Sequence, residues 1–387
     1  LGFVAGLALF LWAFGCVQQG FVSLNWSPVF IPLAWFFVLA VALYVAGHTL
    51  DLSETRQALV LLAEDLVFYF LAVQLFPGGG SESLHSFGLA VLVFGGCLGL
   101  FTILQFASGT HRIYGLVDTP TGALFGPYVN RDHFSGLMEM LIPVAILYIA
   151  GRRSARAVGA SALLIFAATL AVASLMLSGS RGGLMALSAE IVIAALALRR
   201  TIARTLEGRR LAIAAVMALL MGVVLFIYVD EGGSAKRLSS VANVDRTWAD
   251  WAGERKSMAL DTFRMWRDHP ILGVGLGDFE IAYPRYQSFP SDDYIDHAHN
   301  DYIEAAAETG LVGTLLILWA LALFTHLAFR GWRQPVQSPV AWVRLGAAIG
   351  CFGLLVHSFW DFNLHIPANA AWFAVLAGIA TAARRPQ

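Results

Sequence analysis

Long apolar runs, each closed by a turn residue or a charge, dominate this chain. They fall at roughly 3–22, 29–48, 57–76, 86–106, 133–151, 157–178, 183–198, 211–229, 310–329, 341–359 and 370–383. A helix needs about 20 apolar residues to cross the hydrocarbon core of a bilayer. The pattern therefore predicts an all-α polytopic membrane protein with about eleven transmembrane helices. Two runs are weaker: 183–198 is short and carries Glu190, and 57–76 carries Glu64 and Asp65. A polar stretch long enough for a small domain separates the eighth and ninth runs. The expected division is a transmembrane bundle over 1–229, a loop domain over 230–309, and C-terminal transmembrane helices over 310–387.

Within that polar stretch, Trp248, Trp251, Met258, Thr262 and Met265 recur at helical spacing. Such a stripe suits a helix lying flat on the membrane surface, or equally one packed on the outer mouth of the bundle. Gly273, Gly275 and Gly277 follow. With no strand before them they read as turn formers rather than as a dinucleotide loop.

Composition agrees with the pattern. Of 387 residues, 58% are hydrophobic and only 13% charged, with mean hydropathy +0.68, whereas soluble domains carry roughly a quarter charged residues. A net charge of −1 and the lack of a basic stripe argue against nucleic-acid binding. Cys16, Cys97 and Cys351 sit in separate apolar runs, which suggests neither a zinc site nor a disulfide framework.

Short cytoplasmic loops are enriched in Lys and Arg. Arg152, Arg153 and Arg156 follow the fifth run, Arg199, Arg200, Arg204, Arg209 and Arg210 the seventh, Arg330, Arg333 and Arg344 flank the ninth-to-tenth connection, and Arg384 and Arg385 end the chain. All fall on one side when the runs are counted through, so that side is expected to be cytoplasmic. The loop 230–309 then lies outside, as does Leu1. By parity one further N-terminal span is expected, making about twelve in an intact chain.

The polar residues gather at the outer ends. Asn130-Arg131-Asp132-His133 opens the fifth run, and Ser178-Gly179-Ser180-Arg181-Gly182-Gly183 makes a tight outer hairpin. Arg285 and the run Asp296-His297-Ala298-His299-Asn300-Asp301 close the loop domain, and the segment from His357 to His365 ends the tenth run. Arginine disfavours both the outer side and bilayer depth, so Arg181 asks for an anion; a guanidinium fork matches two phosphate oxygens. The plainer alternative is snorkelling to the headgroups. Arg131 and Arg285 could serve likewise, with a local pair to Asp132 and a surface salt bridge as their respective alternatives. Histidine suits proton abstraction near neutrality, and in extended backbone His297 and His299 point to opposite faces, so one of them suffices. A rival reading makes His297, His299 and Asp296 metal ligands. Asp301, Glu304 and Glu308 share a helical face and read as solvated, while His357 and His365 read as polar groups capping the end of a span.

These motifs resemble the bacterial O-antigen ligase and O-antigen polymerase family of integral membrane enzymes. FGPYVNRDHFSGLMEMLIP (125–143), LSGSRGGLMAL (177–187), HPILGVGLGDFEIAYPRYQ (269–287), HAHNDYIEAAAETGLVG (297–313) and HSFWDFNLHIPANA (357–370) carry the resemblance. It implies a twelve-span fold of the lipid-linked-sugar glycosyltransferase kind in the bacterial inner membrane, with its site at the periplasmic face. It implies transfer of a glycan from undecaprenyl diphosphate to an acceptor hydroxyl, on lipid A-core for a ligase or on the next repeat unit for a polymerase. In related enzymes the acceptor is a protein Ser or Thr. His299 then matches the family's base and Arg181 the arginine of its serine-arginine-glycine turn. Arg285 is a looser match, and Arg131, His297 and Asn300 are candidate substrate contacts. Neither a cofactor nor a metal is implied. The acidic segment Ser291–Asp296 departs from the family pattern. A carrier-lipid transporter is the competing class, but it would favour midspan polar groups and internal repeats. Here only Glu64, Asp65, Glu139 and Glu190 lie midspan.

Overall fold

The computed structural model describes residues 1–76, 81–109, 112–118, 125–152, 158–204, 209, 247–291, 294–330, 336 and 338–382. Every apolar run within them forms a helix; the run 211–229 lies outside the described residues. The helices are α1 (Gly2–Gln19), α2 (Phe30–Val45), α3 (Leu52–Leu75), α4 (Ser81–Ser108), α5 (Arg131–Gly151), α6 (Val158–Ser178), α7 (Arg181–Arg204), α8 (Thr247–Asp268), α9 (Asp301–Phe329), α10 (Pro339–His357) and α11 (Pro367–Thr381). A two-stranded hairpin, Arg112–Ile113 with Val117–Asp118, joins α4 to α5. Among the described residues, seven helices are long and apolar enough to cross a membrane, and three shorter apolar helices accompany them. The chain is a polytopic all-α membrane protein.

It divides into two compact units. One comprises Leu1–Pro77, Val244–Leu327 and Ser358–Arg385, the other Gly78–Asn243 and Ala328–His357 with the last two residues. In the second unit α5 is the central helix, buried along nearly its whole length. In the first, Tyr69 of α3 hydrogen-bonds Ser27 and Thr381 of α11, both at 2.8 Å, so one buried hydroxyl ties three segments together.

The first unit turns on a break in α9. Gly310 has φ 63° and ψ −164°, outside helical geometry. An unbroken helix would carry Leu311 N–H to the Ala307 carbonyl and Val312 N–H to Glu308. Instead Leu311 donates to Pro270 O (2.8 Å) and Val312 to Ile271 O (3.2 Å), while Ala307 O accepts from Val274 (3.0 Å) and Glu308 O from Gly275 (3.0 Å). The loop after α8 replaces all four partners, as irregular backbone in a membrane protein requires. A side chain at Gly310 would strike the Ile271 backbone, and one at Gly273 the Glu308 backbone. Asp278, buried on the same loop, accepts from Thr49 Oγ1 and Leu50 N–H (both 2.7 Å) and from Asp51 N–H (3.1 Å), fastening the loop to the start of α3.

Gly273, Gly275 and Gly277 all have positive φ, so the run forms turns as the sequence suggested. The α8 stripe faces protein rather than lipid. Met258, Thr262 and Met265 are buried, and the two methionines pack with Val274, Phe279, Tyr283, Ala298 and Ala307. Trp248 and Trp251 have side chains outside the described residues.

Gly310→Ala should cost about 1–3 kcal/mol from left-handed backbone alone, with steric conflict at Ile271 in addition. Thermal unfolding in detergent should show a lower Tm for this variant, whereas Gly15→Ala, in open space on α1, should leave Tm unchanged.

Candidate active site

Asn300 begins α9. Its Oδ1 accepts from Tyr302 N–H (3.0 Å) and Ile303 N–H (3.1 Å), a helix N-cap, and its Nδ2 donates to Phe359 O (3.0 Å). Asp301 N–H donates to Ser358 O (3.0 Å). Residues 299–302 are thereby tied to the turn that follows α10. His299, just before the cap, has φ +50°, a conformation uncommon outside glycine. Its Nδ1 lies 3.3 Å from Asp361 Oδ1, and Asp361 is buried while the imidazole keeps about a quarter of its surface exposed. A carboxylate can only accept, so this contact places the proton on Nδ1 and leaves Nε2 as the basic nitrogen.

The acidic face of α9 corrects the sequence reading. Asp301, Glu304 and Glu308 are 4%, 0% and 3% exposed, not solvated. Each carboxylate is satisfied by hydrogen bonds from outside its own helix. His365 Nδ1 (2.8 Å) and Leu364 N–H (3.2 Å) reach Asp301. His297 Nδ1 (2.6 Å) and Ala298 N–H (2.7 Å) reach Glu304, and Phe279 N–H (3.1 Å) reaches Glu308. His365 does more than cap a span end, since its Nε2 also lies 3.4 Å from Glu304 Oε1. The two histidines of the HAH motif flank Phe362: His297 stacks on its ring at 4.2 Å and His299 meets it nearly edge-on at 4.9 Å.

His297, Glu304 and His365 form the one group among the described residues whose donor atoms could surround a metal, all within 4.8 Å of one another. This trio differs from the sequence's candidate set of His297, His299 and Asp296; His299 binds Asp361 instead, and Asp296 is exposed. Two ligands of one tetrahedral zinc stand roughly 3.3 Å apart at ordinary bond lengths. The 2.6 Å contact of His297 with Glu304 is too short for that and is a charge-assisted hydrogen bond.

In the second unit, α7 opens at Arg181. Ser180 caps it, its Oγ accepting from Gly183 N–H at 3.0 Å. α5 opens at Arg131, with Asn130 Oδ1 accepting from Asp132 N–H at 2.8 Å. Each arginine is thus the first residue of a helix, where free N–H groups and the helix dipole favour anions. Below them His357 Nδ1 meets Glu139 Oε1 at 2.9 Å, both fully buried. A side chain at Gly182 would strike the His357 imidazole, and a Cβ on Gly183 would lie 2.7 Å from Ser135 Oγ and 3.1 Å from Glu139 Oε1. The two glycines after Arg181 let α7 close on this pair. Glu190 is buried against Gly353, its oxygens without a hydrogen-bond partner among the described residues.

Arg131 and Arg181 belong to one unit, and Arg285, His297, His299 and Asn300 to the other. Arg285 is exposed on a 3₁₀ turn, and Asp292 and Asp293 lie outside the described residues. Asp361 and Glu304 are the residues that sequence reasoning did not single out as partners of the histidines. A carboxylate within the apolar WDFNLH stretch was the available signal.

Residues 166–318 match the family model described as O-antigen ligase. This segment is similar to the O-antigen ligase family. The match bears out the resemblance carried by the motifs. The matched segment contains Arg181, Arg285, His297, His299, Asn300 and Glu304, while Arg131, Asp361 and His365 lie beyond it. The match supports ligase- or polymerase-type activity in polysaccharide assembly in general. No curated protein matches the chain significantly.

Burial works to lower the pKa of His365, but Glu304, Asp301 and Glu308 outweigh it and hold the imidazole at about 10. Freed on unfolding, the group titrates near 6.5. Stability from this cation is therefore complete below about 6.5 and is lost as pH rises through about 10. Tm in detergent should fall across that window, and His365→Gln should start lower and give a flatter profile. Parallel profiles would refute the assignment.

Proposed function

We propose that this protein transfers a glycan from undecaprenyl diphosphate to an acceptor hydroxyl at the periplasmic face of the bacterial inner membrane, as an O-antigen ligase acting on lipid A-core. The observation that carries the reading is the His299–Asp361 pair, a partly exposed imidazole oriented by a buried carboxylate. His299 Nε2 takes the proton of the acceptor hydroxyl. The oxygen attacks the anomeric carbon opposite the departing diphosphate, which inverts the centre. Asp361 holds the tautomer and stabilises the imidazolium that forms. Arg181, at the start of α7, grips the diphosphate and stabilises its charge as the glycosidic bond breaks. Arg131 and Arg285 add charge from the start of α5 and from the loop domain 230–309, which this reading places outside. His297 and Asn300 shape the site, His297 through Glu304 and Asn300 through its cap. Diphosphate is already a good leaving group, so positioning and charge neutralisation supply most of the acceleration, and no metal takes part.

Purified protein supplied with undecaprenyl-diphosphate-linked glycan and lipid A-core provides the test. His299→Ala should lower kcat by about 10²–10⁴-fold, with Asp361→Asn of similar effect through the wrong tautomer. EDTA should leave the rate unchanged. Full activity in His299→Ala would remove the base assignment, and loss in EDTA would return the His297–Glu304–His365 trio to a metal role. Deletion of the gene should leave bare lipid A-core; core bearing a single repeat unit would identify a polymerase instead.

A further inference from the structure

The turn after α10 holds its residues tightly with one exception. Ser358, Asp361, Phe362 and Asn363 are all buried, yet Phe359, between them, is 54% exposed. An apolar ring of that size standing out of a buried turn covers surface that nothing within the first unit fills. It does not stand alone. Tyr302 lies with its ring centroid 4.5 Å from that of Phe359, tilted by 41°, and Trp360 follows at 6.0 Å and 57°.

These rings are fixed to the catalytic segment rather than to the body of a span. Phe359 O accepts from Asn300 Nδ2, the side chain next to His299, and Ser358 O accepts from Asp301 N–H. Asp361, two residues beyond Phe359, orients His299. The aromatic cluster and the base–carboxylate pair are thus carried by the same two crossing segments, 299–302 and 358–362.

We infer that Phe359, Tyr302 and Trp360 form a stacking platform for a pyranose ring of the acceptor glycan. The inference rests on the reading of His299 as the base, because the sugar whose hydroxyl reaches a base is the acceptor and not the donor. The chemistry matches. A pyranose has C–H-bearing faces that pack on aromatic rings and a rim of hydroxyls that needs polar neighbours, and here Phe359 is tied through its carbonyl to Asn300, the sequence neighbour of His299. Rigid aromatic side chains also give contact area at small cost in conformational entropy. A membrane-interface aromatic belt is the competing account. It requires only apolar bulk, whereas stacking requires the flat ring.

Phe359→Leu and Trp360→Leu keep the bulk and remove the ring. Steady-state kinetics would be run with undecaprenyl-diphosphate-linked glycan as donor and, as acceptor, lipid A-core or the lipid-linked repeat unit, whichever the wild type uses. Each variant should raise acceptor KM about 10-fold, with donor KM and kcat within about 2-fold of wild type, and Phe359→Tyr should restore acceptor KM. In a His299→Ala background, Trp360 fluorescence should still respond to the same acceptor, and that response should be lost with Trp360→Leu. Unchanged acceptor KM in both leucine variants, or a rise in donor KM instead, overturns the platform. Full turnover by His299→Ala removes the base but leaves the KM comparison readable, so the two failures are distinguishable. Size-exclusion profiles and Tm confirm that each variant is folded.

Discussion

The exchange of hydrogen bonds at Gly310 is the constraint on which the first unit depends. A membrane helix cannot be interrupted without leaving N–H and C=O groups that lipid will not solvate. Here four such groups are released and four are taken up, by Pro270, Ile271, Val274 and Gly275. The stub of α9 before the break is therefore free to leave the line of the span behind it. On that stub stand Asp301, Glu304 and Glu308, and at its cap stand Asn300 and His299. Without the loop from α8 there would be one long continuous helix, and the acids could not be met by His297, His365 and Phe279 as they are.

The two histidines of the HAH motif divide their work through the partners they find. His297 is closed off by Glu304 at 2.6 Å and by the face of Phe362, and serves the buried charge network. His299 has one ring nitrogen held by Asp361 and keeps part of its ring surface exposed. The other unit shows a parallel economy. Glu139 and His357 hydrogen-bond one another in the core of α5, α7 and α10, and the glycines after Arg181 allow that closeness. The serine, arginine and glycine sequence at 180–183 is thus a capped helix start followed by two close-packing positions.

Much of this was legible in the chain itself. The helices were, because lipid demands uninterrupted apolar length and that demand is written locally. The glycine turns at 273–277 were, for similar local reasons. The burial of Asp301, Glu304 and Glu308 was not. Three carboxylates on one helical face look solvated, and the partners of Asp301, Leu364 and His365, lie about sixty residues away, with no periodicity to announce them. The α8 stripe was equally ambiguous, since apolar spacing is the same whether a helix meets lipid or Phe279 and Tyr283. The link between His299 and Asp361 belongs to the same class of information, visible only once the turn after α10 crosses the start of α9.

The order of the segments along the chain gives the break in α9 a further meaning. Residues 270–275 precede 307–312, so during synthesis the loop leaves the ribosome before the helix it interrupts. The partners for the released backbone groups already exist when Gly310 enters the membrane, and an uninterrupted α9 never has to form first and then be prised apart. A circular permutation or a split of the chain between 275 and 307 would reverse that order or remove it, presenting the insertion machinery with a segment whose own local preference is to remain straight.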